Sequence, residues 1–276
     1  MAGALSVKKS SAAYWARSDR GRVALVTGAS SGIGQALAKH YAGQGATLGL
    51  VARRGEVLQA LSAELGVECA SYALDVRDGD ALEKAAQDFM ARFGVPDIVI
   101  ANAGVSRGTL TEHKEDIAAF KAVMEINVLG MVQTFQPFIA AMRQTGKGSL
   151  VGIASVAGIR GLPGAGAYSA SKAAAISYLE SLRVEMAPSG VHVTTIAPGY
   201  IRTAMTAVNT YKMPFLMDAD VAAAKFAKAI ENRQRFVIIP WQMGWVARFM
   251  RFIPPALWDW AMKKAPHKPR LDWDWL

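Results

Sequence analysis

TGASSGIG, residues 27–34, follows directly on the apolar run RVALVT, residues 22–27. Glycines at 28, 32 and 34 permit a tight turn, let backbone N–H groups approach a pyrophosphate, and open a helix whose positive N-terminal end faces the anion. A glycine-rich turn alone says little. Set between the first strand and the first helix of an alternating α/β chain, it marks a dinucleotide site. The rest of the chain supplies that alternation. ATLGLV (46–51), ECASYAL (68–74), DIVIAN (97–102), GSLVGIAS (148–155), VHVTTIA (191–197) and RFVIIP (235–240) are short apolar runs, several of them apolar on both faces as buried parallel strands are. Helical patterns fall between them near 33–43, 54–65, 79–93, 113–144, 167–187 and 219–232. The expected fold is α/β: a doubly wound, Rossmann-type, seven-stranded parallel sheet with helices on both faces.

With 276 residues, 52% of them hydrophobic, and a mean hydropathy of +0.17, the chain can bury one substantial core. The expected division is a basic arm over 1–21, a catalytic domain over 22–240 and a tryptophan-rich extension over 241–276. The single cysteine, Cys69, excludes an internal disulfide and fits a reducing compartment. His40, His113, His192 and His267 are scattered, with no pair at metal-ligand spacing, so no metal is expected. The first 22 residues lack the continuous apolar stretch of a secretory signal. The net charge of +9 suggests nucleic acid until its distribution is read. Residues 1–22 carry five Lys/Arg against Asp19, residues 236–276 six against three Asp, and residues 23–235 twenty against eighteen acids. The basic excess sits on the two ends, the core carries no nucleic-acid motif, and no nucleic-acid partner is expected.

YSASK, residues 168–172, sets a tyrosine and a lysine four apart. On a helix, i and i+4 share a face, and an ammonium near a phenol favours the phenolate. That would make Tyr168 a general acid/base at working pH, although five letters alone are far more often an ordinary surface helix.

The G-x-x-x-G-x-G spacing resembles the short-chain dehydrogenase/reductase family, and the resemblance extends over roughly residues 22–240. Its further marks fall in order: Asp75-Val76 after the third strand, Asn102-Ala103-Gly104 after the fourth, Asn127 in the long helix, Ser155 after the fifth, Tyr168 and Lys172 thirteen and seventeen residues later, and Pro198-Gly199 after the sixth. The resemblance implies an oxidoreductase in which Tyr168 protonates the oxygen as hydride reaches a carbonyl carbon. Ser155 would polarise that oxygen, and Lys172 would lower the Tyr168 pKa together with the oxidised nicotinamide while also holding the ribose. Asn127 would lie at a helix kink that leads protons to the lysine. Ser169 and Ser171 read as structural.

The cofactor implied is held by Gly28, Ser30, Ser31, Gly32, Ile33 and Gly34 in the turn, with Asp75 and Val76 at the adenine and Asn102, Ala103 and Gly104 on the ribose side. Tyr168, Lys172, Pro198 and Gly199 complete the site, with the Ile201 backbone and the Thr203 hydroxyl both candidates for the carboxamide. The second strand ends LVARR, with Ala52 where an acid would accept the ribose hydroxyls of NAD, and with Arg53 and Arg54 following. Arginine forks bind phosphate in bidentate fashion, so NADP(H) is expected, Arg53 being the better candidate.

Substrate walls are expected from 156–166 and 200–217. The second, YIRTAMTAVNTYKMPFLM, suits a hydrophobic ketone or secondary alcohol of lipid, steroid or acyl type, and equally an ordinary packed lid. A soluble 3-oxoacyl reductase and a non-catalytic NADP(H)-binding regulatory protein are the alternatives. Six of the seven tryptophans lie beyond residue 240. Over 241–253 the polar positions Gly244, Arg248 and Arg251 make a narrow basic edge on an otherwise apolar helix, too short to span a bilayer. It reads either as an interface in a homo-oligomer (dimer or tetramer) or as a peripheral contact of 241–262 with a membrane surface. The expected location is the cytoplasm, or the inner face of a membrane.

Overall fold

A computed structural model describes residues 21–270. Seven parallel strands form the main sheet: β1 (Val23–Thr27), β2 (Thr47–Ala52), β3 (Cys69–Ala73), β4 (Ile98–Ala101), β5 (Ser149–Ile153), β6 (His192–Pro198) and β9 (Phe236–Ile239). Two short strands, β7 (Ile201–Arg202) and β8 (Met217–Asp218), pair separately. The order across the main sheet is β3-β2-β1-β4-β5-β6-β9. Every residue of β1, β4 and β5 is buried. Helices cover both faces, which is why these strands are apolar without alternation.

On one face Leu37, Ala38 and Tyr41 of helix Gly32–Ala42 pack with Phe226 and Ile230 of helix Ala219–Glu231. On the other, Phe89, Phe135, Met142, Leu179 and Met186 come from helices Gly79–Phe93, Gly130–Thr145 and Gly166–Met186. Each large apolar side chain so buried contributes about 1.5–3 kcal/mol of transfer free energy. Packing is close enough to select glycine inside a strand: a Cβ on Gly152 of β5 would collide with the Leu179 side chain. Helix Gly79–Phe93 shows how one such element is specified. Asp78 caps it, accepting from the Ala81 N–H at 2.9 Å, Leu82, Ala85, Ala86, Phe89 and Phe93 form its buried stripe, and Gly94 ends it.

The strand order reverses between β1 and β4, so the connections leaving their carboxyl ends go to opposite faces and leave a crevice there. The long helical pattern expected over 113–144 starts at Asp116 and is broken: a π turn, Glu125–Leu129, separates Asp116–Met124 from Gly130–Thr145. By length and composition alone 116–145 could cross a membrane. Phe135, Phe138 and Met142 instead bury it against the sheet.

Beyond β9 the chain forms helices Trp241–Phe252 and Pro255–Met262. Met243 and Ala247 are buried, whereas Trp241, Trp245, Phe249, Phe252 and Trp260 are exposed. Arg160 ends the first helix by donating to the Met250 and Ile253 carbonyls at 2.9 and 2.7 Å and stacks 4.8 Å from the Trp258 ring centroid. The arm expected over 1–21, apart from its last residue, and Trp273 and Trp275 lie outside the described residues.

Candidate active site

A cleft of about 310 Å³ opens at the carboxyl ends of the strands. Gly28 and Gly32 have φ of +69° and +56°, in the left-handed region. Ser31, at the N-cap of helix Gly32–Ala42, makes no side-chain capping bond, so its hydroxyl leaves the first N–H groups of that helix to another acceptor. The turn is fixed to the neighbouring strand by a reciprocal pair. Asn102 Nδ2 donates to the Thr27 carbonyl at 2.9 Å, and Thr27 Oγ1 accepts from the N–H groups of Asn102 and Ala103, both at 3.1 Å. The Asn102 amide therefore holds two strand ends together as well as lining the cleft. A Cβ on Gly28 would come within 2.9 Å of Ala103 Cα, so the glycine keeps the turn against β4.

All the candidate residues line the cleft except two. Gly34 is packed: a Cβ there would collide with the Gly28 carbonyl oxygen. Asn127 is fully buried behind the cleft wall.

At the end of β2 the two arginines differ. Arg54 donates from Nη2 to the Ser30 carbonyl and hydroxyl, each at 3.1 Å, tying the strand end to the glycine-rich turn. Arg53 Nη1 is 4.0 Å from Asp75 Oδ2. Asp75 is bound more closely by Arg77, whose Nη2 donates at 2.8 Å and whose backbone N–H donates at 2.9 Å. Burial acts to raise the Asp75 pKa, but Arg77 and Arg53 outweigh it and hold the carboxyl below its ordinary range. Arg77 was not singled out by sequence; its position two residues beyond Asp75 was the available signal.

Helix Gly166–Met186 carries Tyr168 and Lys172 one turn apart. Ser155 caps the turn Val156–Gly158, its Oγ accepting from the Ala157 N–H at 3.1 Å, and it faces the same cleft as Tyr168. Lys172 Nζ lies 5.8 Å from the Tyr168 ring centroid and donates to the Ile153 carbonyl at 2.9 Å. Burial lowers the Lys172 pKa to about 8. Burial also raises that of Tyr168, and only the Ser155 side chain opposes it. Within the protein itself desolvation dominates the phenol, and the lowering expected from Lys172 belongs to its joint action with the oxidised nicotinamide.

Asn127 sits in the π turn. Its Oδ1 accepts from the Val105 N–H at 2.8 Å, and its Nδ2 donates to the Val105 carbonyl and to Ser171 Oγ, both at 2.9 Å. Ser171 Oγ in turn donates to the Tyr168 carbonyl at 2.8 Å. Ser171 is thus part of the support of the tyrosine, whereas Ser169 accepts from the Leu162 N–H at 3.2 Å in the adjoining loop.

The sequence pattern of the short chain dehydrogenase family matches residues 22–213. The chain belongs to that family. An uncharacterized oxidoreductase of Myxococcus xanthus is 39% identical over 246 residues, spanning 88% of this chain and 97% of that protein. The 11-beta-hydroxysteroid dehydrogenase 1A of Arabidopsis thaliana is 33% identical over 267 residues, spanning 88% of this chain and 75% of that one. Among solved structures, a short-chain dehydrogenase from Streptomyces avermitilis superposes with a TM-score of 0.77 at 29% identity, over 87% of this chain and 96% of that chain. The fold binds a nicotinamide dinucleotide, and the glycine-rich turn held against β4 and the uncapped helix start fit its pyrophosphate.

This short-chain dehydrogenase completes its cleft with loops from distant parts of the chain. Thr203 caps the short helix Ala204–Ala207 through a capping box with Thr206, and its Cγ2 would lie 3.0 Å from a Cβ on Gly32. Thr206 Oγ1 donates to the Ile201 carbonyl at 2.7 Å, so that carbonyl is engaged within the loop. Met205 lines the cleft beside them. Residues 265–270, which sequence did not associate with the site, return from the C-terminal helices to the loop after β4. Gly108 N–H donates to the Pro269 carbonyl at 3.1 Å, and Lys268 Nζ donates to Ser106 Oγ at 3.0 Å and to the Met205 carbonyl at 3.3 Å.

Proposed function

We propose that the protein is an NADPH-dependent carbonyl reductase, or in reverse an alcohol dehydrogenase, acting on a hydrophobic ketone or secondary alcohol. The observation that carries the reading is that Ser155, Tyr168 and Lys172 line one cleft, with the buried Lys172 ammonium one helical turn from the tyrosine. When bound, NADP(H) supplies or accepts the hydride. The glycine-rich turn would hold its pyrophosphate, Asp75 and Val76 its adenine end, and the arginines after β2 its 2′-phosphate. Arg53 is the better candidate, since Arg54 is engaged with Ser30. Ala52 presents no carboxylate to repel a phosphate.

Ser155 donates to the carbonyl oxygen and Tyr168 gives that oxygen its proton. A phenol raised by burial is fully protonated at neutral pH, which is the form that reduction consumes. Lys172 keeps positive charge beside the phenol, and Asn127 with Ser171 fixes the helical turn bearing both. A hydrophobic substrate is supported by the walls over 200–217, where Met205, Val208 and Phe215 are partly exposed and Tyr200 meets Tyr211 edge-on at 6.4 Å. The aromatic face of 241–262, with Arg248 and Arg251 beside it, suits delivery of such a substrate from a membrane surface, and a subunit interface is the competing use.

A panel of lipophilic ketones, with NADPH and NADH compared at the cofactor absorbance, tests the proposal. Oxidation of NADPH by at least one ketone is expected. Binding of NADPH without turnover of any would favour the non-catalytic reading.

A further inference from the structure

Residues 265–270 form a strap that joins separate rims of the cleft. A Cβ on Gly164, in the loop after β5, would lie 2.6 Å from His267 Cβ, and one on Gly108 would collide with the Lys268 carbonyl oxygen. Arg270 anchors the strap through Nε and Nη2 to the two oxygens of Asp116, at 2.8 and 3.1 Å, and through Nη2 to Glu115 at 3.2 Å. Asp116 is only 3% exposed and also accepts from the Leu110 N–H. The Arg270 charge is therefore matched.

Lys268 is in a different position. Its Nζ bridges the loop after β4, at Ser106, and the loop after β7, at Met205. Met205 lines the cleft, as does Val105 next to Ser106. Both of its hydrogen-bond acceptors are neutral, one of its three N–H donors is left over, and no carboxylate lies within ion-pair distance of it among the described residues. A half-buried ammonium held by neutral acceptors is costly, and burial lowers its pKa to about 8. Its acceptor Met205 belongs to the cleft wall, so the ammonium borders the cleft.

We infer that Lys268 is a specificity-determining residue, held by the strap at the cleft mouth to receive an anionic group, carboxylate or phosphate, at the far end of an otherwise apolar carbonyl substrate. The inference rests on the carbonyl-reductase reading and narrows its substrate class from hydrophobic to amphipathic and anionic. The Arg270–Asp116 pair fixes the strap, so that the ammonium is positioned before the substrate arrives. A charge-assisted hydrogen bond there is worth at least about tenfold in affinity over a neutral terminus.

The test is calorimetric titration of the full-length protein saturated with NADP⁺, using octanoate, octyl phosphate and octan-1-ol. The wild type is expected to bind one or both anions at least about tenfold more tightly than the alcohol. The tighter anion identifies the chemistry. Lys268→Met should abolish the preference and Lys268→Arg should keep most of it. No preference in the wild type, no binding of any of the three, or a preference that survives Lys268→Met overturns the inference. So does a loss of NADPH affinity in Lys268→Met in place of the loss for the anions, which would assign the ammonium to the cofactor. Binding is read without turnover, so the two readings fail separately. An anion preference in an enzyme that reduces no ketone leaves the Lys268 assignment standing, and turnover of neutral ketones without the preference leaves only the reductase.

Discussion

Asn127 reaches across 44 residues of sequence to bond Ser171 Oγ at 2.9 Å, and Ser171 passes the contact to the Tyr168 carbonyl at 2.8 Å. The π turn thereby fixes the first turn of the helix that carries Tyr168 and Lys172. Removing the hydroxyl in Ser171→Ala leaves an Asn127 N–H and the Tyr168 carbonyl each short of a partner in a dry interior. A loss of about 1–3 kcal/mol in stability is expected, measured by denaturant unfolding, together with reduced kcat. Unchanged stability and kcat would show that the chain of bonds does not support the tyrosine.

Tyr168→Phe keeps the ring and removes only the proton donor. Turnover should fall by orders of magnitude, with NADPH affinity near that of the wild type by fluorescence titration. Near-normal turnover on a good substrate would remove Tyr168 from the chemistry.

The pH dependence of reduction should follow Lys172. Its pKa is lowered from 10.5 to about 8, so the ammonium is present below that pH and lost above it, while the phenol, raised by burial, stays protonated through the same range. The kcat/KM for reduction is expected to be level below about pH 8 and to fall up to about tenfold per unit above it, and Lys172→Arg should carry the level region higher. A profile level to pH 10 contradicts this. The linked effect on stability has a defined sign. The folded state holds this proton less tightly than the unfolded chain, so stability gained through Lys172 rises as pH goes from about 8 toward 10.5. That rise should be absent in Lys172→Met.

Arg53→Glu replaces a proposed phosphate partner with a carboxylate and sets it near Asp75, which lies 4.0 Å from the arginine at present. The Michaelis constant for NADPH should rise far more than that for NADH. Equal changes, or a wild-type preference for NADH, would refute the choice of cofactor.

Trp245, Phe249 and Phe252 are 64%, 72% and 78% exposed on one short helix. Replacing all three by serine leaves Met243 and Ala247 packed, so the core should tolerate it. Full-length protein is expected to float with anionic liposomes and the triple variant to stay behind. If the wild type does not float and the variant has a smaller mass in solution, the face is a subunit interface. This variant is preferable to truncation after Pro240, because Met243 covers Gly199 in the loop after β6.

What the sequence revealed and what it concealed divide along physical lines. Strands buried on both faces are apolar throughout, and glycines at a tight turn admit no other residue, so RVALVT with TGASSGIG announced both the sheet and the cleft. Tyr168 and Lys172 were legible because helical spacing puts them on one face and the family resemblance marks that face as the reacting one. The break at Glu125–Leu129 was not legible in the letters, since a π turn keeps the helical composition, and only the family resemblance implied a kink at Asn127. Lys268 and Arg270 were missed because their partners, Ser106, Met205 and Asp116, lie between 63 and 162 residues away and no periodicity links them. The rise that burial imposes on the Tyr168 pKa was also out of reach: it depends on how dry the site is, which neighbouring letters do not record.

The strap has a consequence for how the molecule is made. The sheet is complete once β9 has been synthesised, yet the residues that join Gly108, Gly164 and Met205 at the mouth emerge only afterwards. A growing chain released up to Pro240 already contains the glycine-rich turn, Ser155, Tyr168 and Lys172, so a cofactor cradle can form on the ribosome ahead of the rim that selects what enters it.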